Sequence, residues 1–201
     1  MPTGYALQDP KQQLFAAAER VLLRDGASGL TGRSVTAEAG VAKGVLHRHF
    51  ADFDTFIADL VKERISRFKD VAERLTDRTG QATVSENITA ALPELLDPVV
   101  LALVPQILAH HEIRSRIATN DRPGPPLLSD AAVVVQDYLT CEQQRGRITA
   151  TADVGTTALS IIATAHLLLA GELGALPTTD AIFEVTENIL VGIERPVTPG
   201  H

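Results

Sequence analysis

Apolar residues recur at three- and four-residue spacing through most of the chain, and no stretch alternates at period two. That pattern predicts helices and no strands. Asp9 as N-cap, Pro10 at the first helical position and Gln12 three residues after the cap announce a helix over about 10–25. Leu14, Ala18, Val21 and Leu22 form its apolar face, and Gly26 supplies the left-handed stop. Thr31 caps a helix of barely two turns that carries Val35 and Ala39 and ends at Gly40. After Gly40-Val41-Ala42, Leu46 and Phe50 mark the inward side of a third helix over about 43–50. Asp52 caps a much longer one, in which Phe56, Ile57, Leu60, Val61, Ile65, Phe68, Ala72 and Leu75 hold a stripe over about six turns.

Residues 76–82 form a polar connector, and Thr83 with Glu86 stands in capping-box spacing at the head of the next helix. Pro93, Pro98 and Pro105 divide 84–119 into shorter pieces, with Asp97-Pro98 as cap and first position. Asn120–Pro126, reading NDRPGPP, is a loop by composition. Further helices are predicted over about 128–145, from Asp153 to near Gly171, and from an Asp180 cap with Ile182, Val185, Ile189 and Ile193 as its buried face. The fold class is thus all-α, with about nine helices and a disordered tail over 196–201.

Composition supports a packed helical core: 45% of the 201 residues are hydrophobic and only 4% aromatic, with no Trp. The net charge of −7 argues against nucleic acid as a partner until its distribution is considered. Residues 1–69 hold 10 basic and 8 acidic side chains, against 8 and 17 in residues 70–201. Only the N-terminal third can sit against a phosphate backbone, so two functional parts are expected. Cys141 is the sole cysteine, which excludes an intrachain disulfide and fits a reducing, cytoplasmic setting. The opening MPTGYALQDPKQQ does not read as a secretory signal. The most apolar run, Thr156 to Ala170, falls short of a bilayer span, so no membrane partner is expected.

Two short helices joined by a tight glycine-containing turn and preceded by a packing helix make residues 31–50 a candidate DNA-reading helix-turn-helix. Arg33, Lys43 and Arg48 outweigh Glu38 there, and His47 and His49 add donors for phosphate. A short helix, a turn and another helix also occur in plain bundles, so this signal alone leaves a structural reading open. Residues 14–61 resemble the headpiece of the tetracycline-repressor (TetR) family in motif order and spacing, most specifically in TAEAGVAKGVLHRHFADFDTF over 36–56. The resemblance implies a one-component repressor that binds a palindromic operator in double-stranded DNA as a homodimer and is released by a small effector. It places Thr31 and Arg33 beside the backbone, brings Lys43, Gly44, Val45, His47 and Arg48 to DNA, and has His49 hold phosphate. Three positions depart from the family pattern: Ala42 where Ser or Thr caps, His47 where Tyr is usual, and Phe53 where Lys is common. The expected division is a DNA-binding unit over 1–52 and an effector-binding and dimerisation unit over 53–195.

The C-terminal part resembles the family only in layout. The helix over about 154–170 is apolar nearly all round, so it needs partners on two sides, its own core and a second copy of the chain. Ala158, Ile162, Ala165, His166, Leu169, Ile182, Val185 and Ile189 are the expected dimer contacts. The long helix from Asp52 reaches about 35 Å from headpiece to core and is a natural lever. An apolar effector is expected against its Leu60, Arg64 and Phe68 and against Leu96, Val100, Leu103, Val104, Ile107 and Tyr138 opposite, with Arg64, His110, His111 or Tyr138 as orienting polar groups. An ordinary dry core is the competing reading of those positions.

His110, His111, Glu112, Cys141 and His166 lack metal-ligand spacing, since neighbouring helical residues point about 100° apart and no His recurs at i, i+4. No metal and no cofactor is expected. With no phosphate loop, carboxylate pair or nucleophile elbow, an enzyme has no chemistry to stand on. The remaining alternative is a helical protein-interaction adaptor that never touches DNA.

Overall fold

A computed structural model describes residues 9–117, 124–171 and 176–194. Among these, ten helices follow one another: α1 (Pro10–Gly29), α2 (Gly32–Glu38), α3 (Gly44–His49), α4 (Phe53–Asp77), α5 (Val84–Leu95), α6 (Pro98–Ala109), α7 (His111–Ile117), α8 (Leu128–Gln144), α9 (Val154–Leu169) and α10 (Thr179–Leu190). The only extended pairing among them is an isolated antiparallel bridge between Ile148 and Glu194.

Caps set most of the boundaries. Asp9, Thr31, Asp52, Thr83, Asp97 and Asp153 each accept backbone N–H bonds at a helix start, satisfying donors that a first turn leaves open. Gly26, at φ 70° and ψ −173°, breaks α1 before a last turn to Gly29. The last helix departs from expectation, because Thr178 and not Asp180 accepts the first-turn bond, from the Ala181 N–H. The tenth helix arises where His110 takes an extended conformation and separates α7 from α6. Pro93 and Pro105, expected as breaks, lie inside α5 and α6 with their rings on the exposed side.

The stripe on α4 is also shifted. Arg64 and Val71 are buried, whereas Ile65 and Ala72 are half-covered, because α4 packs on α5, α7 and α8 and its Arg64 finds carboxylates beneath it. Leu14, Ala18, Val21 and Leu22 are buried as the spacing requires. On α10 only Ile182 of the four expected residues is fully buried; Thr186 and Leu190 complete that face. The expected boundary at 52/53 coincides with the α4 cap, and buried apolar residues continue across it from Phe15 and Phe50 to Phe56 and Leu60. The tail over 196–201 and most of the loop over 120–126 lie outside the described residues. Among those described, no single helix is long and apolar enough to cross a membrane; the apolar α5 and α6 are bent by 66° at their junction.

Candidate nucleic-acid interface

The N-terminal unit is shaped by a few apolar anchors. Val35 and Leu46, 0% and 2% exposed, fix α2 and α3 to the core. Phe50 packs on Phe15 and Phe56 with ring centroids 5.8 and 5.1 Å apart, and the Lys11 ammonium sits 5.4 Å above its ring. Thr31 and Ser34 cap α2 reciprocally: the Ser34 N–H donates to Thr31 Oγ1 at 3.1 Å, and the Thr31 N–H donates to Ser34 Oγ at 2.9 Å. Spacing suggested the Thr31 half of this motif and missed the Ser34 half, because Glu or Gln is the usual partner. Between α2 and α3 the chain turns at Gly40, whose φ of 66° is costly for a side chain with a Cβ. Gln13 Nε2 donates to the Ala39 carbonyl at 2.9 Å and holds the turn against α1.

What this scaffold presents outward is basic. Thr31, Arg33, Lys43, Gly44, His47 and Arg48 are exposed, and Val45 and His49 are half-buried. All eight expected DNA-facing residues therefore lie on α2, the turn or α3. The one acid within residues 31–50 is turned away: Glu38 receives Arg20 Nε at 2.7 Å and Arg24 Nη1 at 2.6 Å. These hydrogen bonds, Arg20 first, hold its carboxyl below the usual glutamate range. Arg33, Lys43 and Arg48 make no ion pair with another described residue. Lys43 stands at the start of α3 without a side-chain cap, and the neighbouring Ala42 has no oxygen to supply one.

Residues 14–56 match the model of the bacterial regulatory proteins of the tetR family. Over this segment the chain is similar to TetR-family regulators. The HTH-type transcriptional regulator PksA of Bacillus subtilis (strain 168) is 33% identical over 78 residues, a match covering 37% of this chain and only 38% of PksA. Whole-chain likeness is structural. The reduced form of Escherichia coli NemR aligns with a TM-score of 0.69 at 16% identity, over 94% of this chain and 100% of that one. A TetR-family member from Streptomyces coelicolor A3 gives 0.65 at 21%, over 90% and 98%. The fatty acid degradation regulator FadR of Bacillus halodurans gives 0.66 at 18%, over 94% and 97%. At these identities the structures show a shared all-α fold.

The residues expected around an effector are mostly packed together. Leu60, Leu96, Val100, Leu103, Val104, Ile107 and Tyr138 are at most 2% exposed, and Phe68 is buried beside them. His110 and His111 stand apart, exposed at the α6–α7 break. Tyr138 is committed to a buried polar cluster that sequence spacing did not reveal. Its hydroxyl donates to Glu142 Oε1 at 2.7 Å and accepts from Asn87 Nδ2 at 2.9 Å, while the Gly80 N–H and Arg147 reach the same carboxylate at 3.1 and 3.2 Å. Burial, followed by the Glu142 hydrogen bond, raises the Tyr138 pKa well above the ordinary phenol value. Only the four-residue spacing of Tyr138 and Glu142 could have signalled it.

Arg64 is the other buried polar group. It reaches Glu19 of α1 at 3.2 Å and Asp97, the cap of α6. Burial lowers its pKa, with Glu19 opposing, and its Nε has no hydrogen-bond partner. Of the expected dimer contacts, Ala158, Ile162, Ala165 and Ile182 are buried within the chain itself, so they have almost no surface to offer a second copy. His166, Leu169, Val185 and Ile189 are half-buried. The open face of α9 carries Leu159, Ala163 and Leu167 at four-residue spacing, with Leu159 51% exposed. Among the described residues no three His, Cys, Asp or Glu side chains gather as a metal site would require.

Proposed function

We propose that the chain is a transcriptional repressor that binds a palindromic operator as a homodimer and leaves it when a small, mainly apolar effector binds. The observation that carries this reading is the unpaired set Arg33, Lys43 and Arg48 on an exposed two-helix surface whose only acid is turned back onto Arg20 and Arg24. In the mechanism, α3 enters the major groove, which is about 12 Å wide, while Thr31, Arg33 and His49 seat phosphates. Gly44 leaves the start of α3 without a side chain, which permits close approach. The cytoplasm, where such DNA lies, is the corresponding location.

Dimerisation in this reading uses the open face of α9 with α10, and two-fold symmetry then supplies two copies of α3. The effector acts by opening the packed interior around α4, α6 and α8. Arg64 suits the coupling step, since it ties the lever to α1 on one side and to the α6 cap on the other. An effector shifts operator affinity only if it prefers the arrangement whose α3 helices no longer match the half-sites. Selection of bound duplexes from random DNA tests the reading directly. The expected product is an imperfect palindrome whose binding weakens steeply with salt; recovery of no sequence, with salt-independent binding, overturns it.

A further inference from the structure

A second recess lies between the headpiece and the core, away from the packed interior around Tyr138. Its walls are Leu30, Thr31 and Gly32 at the start of α2, Phe53, Asp54 and Ile57 in the first turns of α4, Gln106 and His110 at the end of α6, and Ile113 of α7. Its volume is about 360 Å³, within the range of small-ligand sites. Phe53, at a position where the family commonly has Lys, contributes an aromatic wall, stacked on Phe56 at 5.6 Å. Gly32 borders the same ring closely: a Cβ there would stand 3.6 Å from it.

The polar groups of the recess include one carboxylate. Gln106 uses one N–H of its side-chain amide on the Ala27 carbonyl at 2.7 Å, which leaves its other N–H and its oxygen to bond a ligand. His110 Nδ1 donates to the Gln106 backbone carbonyl at 2.9 Å. Asp54 makes no hydrogen bond with another described residue; it attracts the nearby Arg116, whose guanidinium is held by Asp52 and by Thr55. An aromatic face, aliphatic walls and a carboxylate favour a flat organic cation over a neutral or anionic compound.

We propose that this recess binds small aromatic cations of the amine or amidine class, with the charged group at Asp54 and the ring against Phe53. Such a ligand touches α2, α4, α6 and α7 together, so it joins the headpiece to the core. Binding itself requires neither DNA contact nor the interior effector site.

Benzamidine is a suitable probe, titrated against the full chain by calorimetry and by heteronuclear NMR, with benzamide and benzoate as uncharged and anionic controls. Benzamidine is expected to bind and to shift resonances of Phe53, Ile57, His110 and Ile113, and the two controls are expected not to. Asp54→Asn is expected to weaken benzamidine at least about tenfold, and Phe53→Leu is expected to weaken it too, with the far-UV circular dichroism of both variants unchanged. No binding at millimolar benzamidine, shifts confined to other residues, or equal binding by the Asp54→Asn chain overturns the proposal. Parallel titrations with operator DNA keep it separate from the repressor reading, since loss of DNA binding leaves the benzamidine result standing and the reverse also holds.

Discussion

Lys43 and Arg48 are both exposed cations, yet they occupy different places on the reading unit, one at the start of α3 and one on its last turn. A lysine that neutralises phosphate contributes to every sequence, whereas an arginine that forks onto a base edge discriminates. Lys43→Ala is therefore expected to weaken all duplexes alike and to reduce the salt slope by about 0.9. Arg48→Ala is expected to relax one operator position at a cost of about 1–3 kcal/mol. Gel shifts across a salt series, with matched and mismatched duplexes, separate the two; unchanged affinity in both variants removes the reading surface. Arg64 belongs to the same scale. Its replacement by Met keeps the volume of the stem but leaves Glu19 and Asp97 without their shared cation. Hydrogen bonds to charged groups contribute about 1.5–3 kcal/mol; because both carboxylates keep some access to water, a loss toward the lower end of that range is expected in urea denaturation. If Arg64 couples the parts, the variant also binds operator in a manner no longer sensitive to effector.

Among the elements, α4 is fixed at its first turn by an ion pair that crosses the molecule. Asp52 accepts from the Thr55 N–H at 2.7 Å while Arg116 of α7 donates to the same carboxylate. The Arg116 bond, and after it the Thr55 bonds, hold the Asp52 pKa far below the usual aspartate range. A depressed folded-state pKa contributes stability above the unfolded value of about 3.9, and that contribution is lost as the pH falls toward the folded value. Glu38, Glu86 and Asp153 are shifted in the same direction. Glu194 is shifted the other way by burial, so its protonation favours the folded state as the pH drops toward the ordinary glutamate value. The urea midpoint is therefore expected to change little between about pH 7 and 5 and to fall below about pH 4. Asp52→Asn should flatten part of that fall, and an identical acid profile in the variant would show that the α4–α7 clamp adds nothing. The Glu142 cluster ties another pair of ends, the α4–α5 connector and the C-terminus of α8. Glu142→Ala removes the fully buried acceptor of four groups' network and is expected to cost about 3 kcal/mol, read as a lowered urea midpoint with an unchanged slope.

At the scale of the whole molecule, the apolar side of α9 that the described residues leave uncovered is the surface on which the proposed dimer depends. Leu159 and Leu167 are 51% and 39% exposed on one side of a helix whose other side is buried. Covering one leucine fully is worth about 1.5–3 kcal/mol, and two-fold symmetry counts each contribution twice. Light scattering at micromolar concentration should thus find a dimer, and Leu159→Glu should shift it toward monomer. The same variant should lose most of its operator affinity although its reading surface is untouched, because one α3 then engages one half-site. A stable monomer in the unaltered chain would defeat the dimer reading without touching the assignment of α3.

By itself the sequence determined those features that depend on neighbours along the chain. Caps at Asp9, Thr31, Asp52, Thr83, Asp97 and Asp153 were legible because a capping oxygen lies within three residues of the donor it satisfies. The glycine turn at Gly40 and the basic residues of α3 were legible for the same local reason, and with them the helix-turn-helix segment and its likeness to the TetR headpiece. Spacing could not distinguish a face covered by the chain's own core from one awaiting a partner. Ala158, Ile162 and Ala165 therefore read as interface and proved buried, while Leu159 and Leu167 face outward. Nor could it show that Arg64 joins three helices, that Tyr138 meets Asn87 and Glu142, or that Phe53 and His110 border one recess. Apart from the Tyr138–Glu142 pair, which is local, those facts depend on contacts between segments distant along the chain, such as Arg64 with Glu19 and Asp97 and Tyr138 with Asn87, which only the packing of helices against one another fixes.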